Sequence, residues 1–244
     1  MKFLLHLLTL MTIVLCTATA AVPSNCTQAI LGIAEGWNSS DVTLSLVEKN
    51  TAGQWVRVLG PYRGKLGREG LVWGLGLHRN PGHASIKREG DWRSPAGIFT
   101  LGGLWVTNKK AVRRDPRIPY VQVGPADLWV SDPAYPKLYN RHVRLDHPAR
   151  TKWELRERMR QNDYAHSIKL LIGHNTAKPV VGAGSSIFFH IWRNNGASPT
   201  AGCTAMDEQN LRRIIARLNP DRHPIYILLP HSEYAKRRKL WRLP

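Results

Sequence analysis

Residues 184–206 read GSSIFFHIWRNNGASPTAGCTAM, an apolar run followed by a turn of small and polar residues. The run ends at His190, the turn ends at Cys203, and Asp207 follows as an N-cap for a helix. A short apolar run bounded by Gly and Ser is typical of a strand in a packed sheet. The stretch therefore predicts a strand, a turn and a helix in succession, with a histidine and a cysteine at one connection.

Short strands are predicted along most of the chain. Alternating residues at 42–46 and 55–59, joined through 49–53, indicate a hairpin with one buried face. Further apolar runs, bounded by Gly, Pro, Asn or Asp, lie at 70–77, 97–101, 120–123, 168–172 and 225–229.

Two helices are expected beside these strands. Residues 152–161 form one predicted helix, which is polar apart from three apolar side chains. The second follows Asp207, where apolar residues recur at i, i+3, i+4 and i+7, namely Leu211, Ile214, Ile215 and Leu218. The sequence therefore predicts a mixed, mainly β domain with two or more peripheral helices.

Composition narrows the class of protein. The 244 residues include 35 Lys and Arg against 17 Asp and Glu, which gives a formal charge of +18. A hydrophobic share of 43% and nine tryptophans supply a full core and exclude a disordered basic protein. Three cysteines are too few for a disulfide scaffold. Because no repeat or low-complexity segment occurs, we expect one compact domain.

The two ends of the chain differ from its middle. Lys2 precedes an apolar run over 3–16, and Ala18 and Ala20 suit a signal peptidase. We therefore expect a signal peptide over 1–20, export to the periplasm, a domain over 21–232 and a basic tail over 233–244. A basic exported protein is suited to anionic envelope polymers or a lipid surface. No nucleic-acid motif accompanies the charge, so no nucleic-acid partner is expected, and the sequence predicts no particular oligomeric state.

Cys203 and His190 form the strongest candidate for chemistry. The helix predicted after Asp207 puts positive backbone charge near the sulfur, which favours a thiolate. A strand that presents His190 beside a turn that presents Cys203 would pair a base with a nucleophile for acyl transfer. Three alternatives remain open on the residues alone: an inert buried cysteine, a disulfide with Cys26, and zinc bound with His174.

The motifs resemble a known family. Residues 184–190 and 199–206 resemble the catalytic motif of the L,D-transpeptidase (YkuD-like) family, in the branch with an Ala-Gly-Cys turn. Residues 87–99 resemble the glycine-rich loop and the Ser/Thr-Pro-x-Gly-x-Phe strand of this family. Segments 132–133, 139–141 and 172–175 are also similar, so the resemblance spans roughly residues 27–230.

The resemblance implies a β-rich domain that cuts peptidoglycan stem peptides after their third residue. Cys203 would carry the acyl intermediate, His190 would move its proton, and the Gly202 carbonyl or a nearby backbone oxygen would orient the imidazole. An amine acceptor would give a crosslink, whereas water would make the protein an L,D-carboxypeptidase. No cofactor and no metal are implied. A non-catalytic basic module that binds the cell envelope is the alternative from another class.

One departure from the family concerns a cation. Many members carry an Arg two residues after the nucleophile, where this chain has Ala205, and Arg193 is the predicted replacement. Other predicted substrate contacts on the same connection are Asn194, Ser198 and Thr200, as hydrogen-bond donors, and Trp192, as a wall. Turn chemistry and packing are the alternative roles for these side chains.

Overall fold

The computed structural model describes residues 22–80, 84–107, 117–161 and 163–244. The predicted signal peptide over 1–20 lies outside the described residues. Within the described ranges, no helix combines the length and the hydropathy that crossing a membrane requires.

The described residues form twelve strands and three α-helices. The strands are β1 (Gln28–Ala34), β2 (Asp41–Lys49), β3 (Trp55–Lys65), β4 (Leu71–Trp73), β5 (Ser94–Val106), β6 (Tyr120–Gln122), β7 (Asp127–Val130), β8 (Arg141–Arg144), β9 (Ile168–Ile172), β10 (Phe188–Ile191), β11 (Thr204–Met206) and β12 (Ile225–Pro230). The helices are α1 (Lys152–Glu157), α2 (Glu208–Arg217) and α3 (His231–Arg237).

Ten of these strands form one large sheet. Its order is β12-β1-β2-β3-β11-β10-β9-β5-β4, with β6 also paired to β5. Because β12 additionally pairs with β5, the sheet closes on itself. Strands β7 and β8 form a separate pair. The predicted mixed, mainly β class with peripheral helices is confirmed.

The closed sheet packs around one main hydrophobic core. Its largest fully buried side chains include Tyr226, Phe99 and Phe189. Each such burial removes enough apolar surface to stabilise the fold by about 1.5–3 kcal/mol. A second, smaller cluster collects Trp105, Val123, Trp129, Met159 and Phe188, and Cys203 packs against it.

Helix α2 follows the sequence pattern, α1 departs from it, and α3 was not predicted. Helix α2 buries its predicted apolar face, and the Asp207 carboxylate accepts from the Asn210 N–H over 3.1 Å as its N-cap. The predicted helix over 152–161 was too long, since α1 ends at Glu157. Arg158 adopts an extended conformation there and forms a β-bridge with Leu128, so strand pairing ends the helix.

The basic C-terminal segment is packed onto the domain. Trp241 and Leu243 are buried in the main core, and the Trp241 ring meets the Trp73 ring with centroids 6.1 Å apart. The Arg237 guanidinium lies 4.8 Å from the Trp241 ring centroid. The segment over 233–244 therefore does not project as an appendage, although its Lys236 remains exposed.

Candidate active site

The predicted nucleophile and base meet through the pairing of β10 and β11. These strands are parallel, with Phe189 opposite Thr204 and His190 opposite Ala205. Cys203 comes immediately before β11, and the Phe188 N–H donates to its sulfur over 3.4 Å. Side chains alternate along β10, so Phe188 and His190 point to one face, and Cys203 packs against the cluster that contains Phe188. The structure thus brings the predicted pair together.

The sulfur of Cys203 is half-buried and bonded to backbone. Besides accepting from Phe188, the thiol donates to the Ser186 carbonyl over 3.4 Å. Burial raises the pKa of the Cys203 thiol, and the Phe188 N–H and the charge of Lys169 oppose that shift. Burial of the sulfur therefore acts against the thiolate that the sequence predicts. The three residues of β11 separate Cys203 from Asp207, and a helix terminus acts only within about one turn.

His190 is buried and held by its own strand. Its Nδ1 lies 2.7 Å from the Ile191 carbonyl, so Nδ1–H donates there and Nε2 keeps its lone pair. Burial lowers the pKa of His190 to about 3, which leaves the ring neutral at pH 7. The backbone oxygen that orients the imidazole belongs to Ile191, and Gly202 has a different role.

Gly202 allows the tight approach of the turn to a neighbouring loop. It has a φ of +145°, and an added Cβ would lie 3.0 Å from the Arg93 carbonyl oxygen. Its N–H donates to the Thr200 hydroxyl over 3.0 Å. The residue is therefore needed for backbone conformation next to the nucleophile.

A second histidine lies beside His190. The rings of His166 and His190 have centroids 4.6 Å apart and are inclined by 35°. The His166 Nδ1 lies 2.8 Å from an Asp163 oxygen. Burial raises the pKa of Asp163, but the hydrogen bonds from Arg193 and His166 outweigh it and lower that pKa to about 2. Sequence reasoning missed His166, because its position depends on the fold of the segment before β9.

A cavity of about 370 Å³ opens at Cys203. Its wall carries both signs of charge and two tryptophans; the residues are Glu89, Glu157, Arg156, Arg158, Lys169, His166, Trp92 and Trp129, together with small or apolar neighbours of the cysteine. His190 is buried and is not part of the described wall, but its ring stacks on that of His166, which is. A cavity lined by carboxylates and by cationic side chains is suited to a peptide that carries both an amine and a carboxylate.

Glu89 is fixed in this wall by two hydroxyl groups. The Tyr139 hydroxyl donates to Glu89, and the Ser185 hydroxyl donates to the same oxygen over 2.8 Å. Burial raises the pKa of Tyr139 above its usual range, so this phenol stays a donor. Nearby, the Asn140 oxygen accepts from the Ser186 N–H over 3.1 Å. The motifs over 87–99, 139–141 and 184–190 therefore meet at one wall of the cavity.

The five predicted substrate contacts lie elsewhere on the connection between β10 and β11. None of them is part of the described wall of the Cys203 cavity. The Arg193 guanidinium is exposed and paired with Asp163, and Asn194 donates to the Ser198 hydroxyl over 2.8 Å. The Thr200 hydroxyl donates to the Cys203 carbonyl over 2.7 Å. Trp192 is half-buried against Gly196. In this structure Asn194, Ser198 and Thr200 bond within the turn, whereas Arg193 pairs outside it.

The alternative roles for Cys203 are also addressed by the structure. Cys203 and Cys26 are both free thiols, and Cys26 is buried in the main core, so the disulfide alternative is wrong. Both ring nitrogens of His174 are engaged, with the Leu75 N–H and the Ala183 carbonyl. Within the described ranges, no three His, Cys, Asp or Glu side chains are grouped as metal ligands.

Comparison with known proteins places the chain in a family. The chain matches the family model of the L,D-transpeptidase catalytic domain, YkuD, over residues 46–227. The chain belongs to the YkuD family. This family acts on peptidoglycan, and the match includes Cys203, His190 and Lys169.

Two solved structures also match. The crystal structure of the helical cell shape determining protein Pgp2 from Campylobacter jejuni has 13% sequence identity and a TM-score of 0.37. The match covers 84% of this chain and 48% of that chain. A mutant of Pgp2 gives 12% identity and a TM-score of 0.39, over 88% of this chain and 50% of that one. This chain thus spans about half the length of Pgp2. No curated protein sequence matches it significantly.

Proposed function

We propose that this YkuD-family protein is an exported L,D-transpeptidase with Cys203 as its nucleophile. The observation that carries the proposal is the placement of Cys203 and His190 on one face of the β10–β11 pair, next to a cavity. The donor is a peptidoglycan stem tetrapeptide, cut after its third residue.

The reaction divides into two acyl transfers. The Cys203 thiol gives its proton to Nε2 of His190, and the sulfur attacks the carbonyl carbon of the third stem residue. The carbon–nitrogen bond to the terminal D-Ala breaks, and His190 returns the proton to the leaving amine. An amine from a second stem then attacks the thioester, gives up a proton to His190, and releases the crosslinked product and the thiol.

The charges of the cavity support a donor with an amine and a carboxylate on its third residue. Glu89, fixed by Tyr139 and Ser185, offers a preset acceptor for an ammonium group. Arg158 lines the same cavity, and within the described residues its side chain has no hydrogen-bond or ion-pair partner. A free guanidinium is suited to bind a carboxylate.

Analysis of muropeptide products tests this proposal. Protein without residues 1–20, and its Cys203→Ala variant, are incubated with disaccharide-tetrapeptides and the products are identified by mass spectrometry. Loss of D-Ala with a dimeric product supports a transpeptidase, whereas loss of D-Ala with monomers alone supports an L,D-carboxypeptidase. If both proteins bind sacculi and leave the muropeptides unchanged, the non-catalytic envelope-binding module replaces the proposal.

Export is part of the same proposal. It is supported by Lys2, the apolar run over 3–16 and the small residues before Ala21. Amino-terminal sequencing of the protein recovered from the periplasm is expected to begin at Ala21. A chain that keeps Met1 and stays in the cytoplasm would contradict export and leave the chemistry of Cys203 to be tested separately.

A further inference from the structure

A buried lysine lies on the same face of the sheet as Cys203 and His190. Lys169 of β9 is directly opposite His190 in the antiparallel pairing of β9 and β10. Residues in such a pair project from the same face of the sheet, so Lys169, His190 and Cys203 form a neighbouring set. Lys169 also lines the Cys203 cavity, with a relative exposure of 4%.

The ammonium group of Lys169 has few partners in the protein. Its Nζ donates to the Met159 carbonyl, and this is its one hydrogen bond among the described residues. No described carboxylate lies within ion-pair distance of it. Two of its three donors are therefore left for a group in the cavity. A buried ammonium without a counter-ion is costly, and an apolar side chain of the same size would stabilise the fold better.

The other two cations whose charges act on the sulfur, Arg193 and Lys87, already have counter-ions. Arg193 pairs with Asp163, and the Nζ of Lys87 lies 2.6 Å from an Asp91 oxygen. Lys169 differs because its charge is not neutralised by an acid. Among the groups on this face, Cys203 is the one that becomes negative when its proton leaves.

We infer that Lys169 is the positive partner of the Cys203 thiolate, and that its ammonium stabilises the negative sulfur while His190 holds the proton. The inference rests on the proposed function in that it takes Cys203 as the nucleophile. Many family members carry an Arg two residues after the cysteine, and Arg193 was predicted from the sequence as its replacement. Lys169 takes that role instead. It acts through Cys203 and is a positioning residue.

The pH range of the effect follows from the ionisable groups around the sulfur. Burial lowers the pKa of Lys169 to about 8, so the side chain is charged at pH 7 and loses its charge above that value. The ionisable groups that face Cys203 or line its cavity are Lys169, His190, His166, Lys87, Arg193, Glu89, Glu157, Arg156 and Arg158. Of these, Lys169 loses a positive charge near pH 8.

Thiol alkylation measures the thiolate without any substrate. Rates of carbamidomethylation of Cys203 by iodoacetamide are followed by mass spectrometry from pH 6 to pH 10, with Cys203→Ala correcting for Cys26. A nearby positive charge lowers a thiol pKa by about 1–3 units, so Lys169→Met is expected to react about tenfold more slowly at pH 7. The two rates are expected to converge above about pH 9, where the wild-type lysine is neutral.

Two further variants make the test specific. Lys169→Arg keeps its charge at high pH, so it is expected to react near the wild-type rate at pH 7 and faster than wild type above pH 9. Lys152→Met removes one exposed lysine from α1 and is expected to follow the wild-type profile. Thermal unfolding is expected to show Lys169→Met at least as stable as wild type.

Equal rates for Lys169→Met and wild type at pH 7 would overturn the inference. If Lys169→Met does not fold, the inference is tested by comparing the rates of Lys169→Arg and wild type above pH 9. Equal rates there would overturn the inference. Alkylation uses no muropeptide. The effect of Lys169 on the Cys203 thiol can therefore be measured even if the proposed function fails its own test.

Discussion

At the scale of the residue, the proposed chemistry depends on how His190 is held. The Ile191 carbonyl accepts a hydrogen bond from Nδ1–H, which fixes the tautomer with a free Nε2. A backbone oxygen in this position removes the need for a third catalytic side chain. The ring is buried, and burial destabilises its imidazolium form. When the ring holds the proton of Cys203 in the proposed reaction, neighbouring groups must stabilise that form.

The lowered pKa of His190 gives a prediction for the pH dependence of the proposed reaction. Because burial lowers this pKa to about 3, the neutral base is present above that pH and is lost as pH falls through it. We expect kcat/KM for D-Ala release to show no loss of base between pH 7 and pH 5. An acidic limb with a midpoint near 6.5, the usual value for histidine, would contradict this placement of His190.

Gly202 offers a second prediction at this scale. Gly202→Ala places a Cβ 3.0 Å from the Arg93 carbonyl at a φ of +145°, so we expect a loss of about 1–3 kcal/mol of unfolding free energy and slower Cys203 alkylation. Gly182→Ala is the matched control, because that glycine has a φ of +80° and no atom within 4 Å of its Cβ position. Equal losses in both variants would show that the contact with Arg93 is unimportant.

At the scale of the element, the sequence predicted features that depend on residues close together along the chain. The apolar period of α2 and its Asp207 cap were predicted correctly for this reason. The end of α1 was not, since the bridge between Arg158 and Leu128 is tertiary. Lys169 was missed for the same reason, because it joins the site only through the register of β9 and β10.

The Asp207 cap gives a prediction about the reach of α2. Asp207→Ala is expected to lower the unfolding free energy by about 1 kcal/mol in denaturant titration. It should leave the pH profile of Cys203 alkylation unchanged, because β11 lies between the cap and the sulfur. Thr151→Ala, which removes the cap of α1, is the control for stability. A shifted alkylation profile in Asp207→Ala alone would show that the helix does act on the thiol.

At the scale of the whole molecule, closure of the sheet joins distant parts of the chain. Strand β12 pairs with both β1 and β5, and the segment after it returns to the core through Trp241. The basic residues of this segment were visible in the sequence, but their packing was not. A run of charges is compatible with a free tail or with a solvated edge, and only the buried Trp241 distinguishes them.

The C-terminal segment should therefore respond differently to two kinds of change. Trp241→Ala is expected to cost about 3–5 kcal/mol of unfolding free energy, because a core side chain is lost. Replacing the exposed Lys236, Arg238 and Lys239 by Gln should change stability by no more than about 0.5 kcal/mol. The triple variant should also bind anionic sacculi less tightly at low salt. Stability unaffected by Trp241→Ala would contradict the packed arrangement.

Direct detection of the acyl-enzyme tests the central claim, that Cys203 carries the third stem residue as a thioester. Protein without residues 1–20 is mixed with disaccharide-tetrapeptide, quenched in acid and examined as intact protein by mass spectrometry. We expect the mass to increase by that of the disaccharide-tripeptide acyl group, with the addition mapped to Cys203, and we expect release of D-Ala. Neither is expected in Cys203→Ala. Release of D-Ala by Cys203→Ala at the wild-type rate would contradict the account.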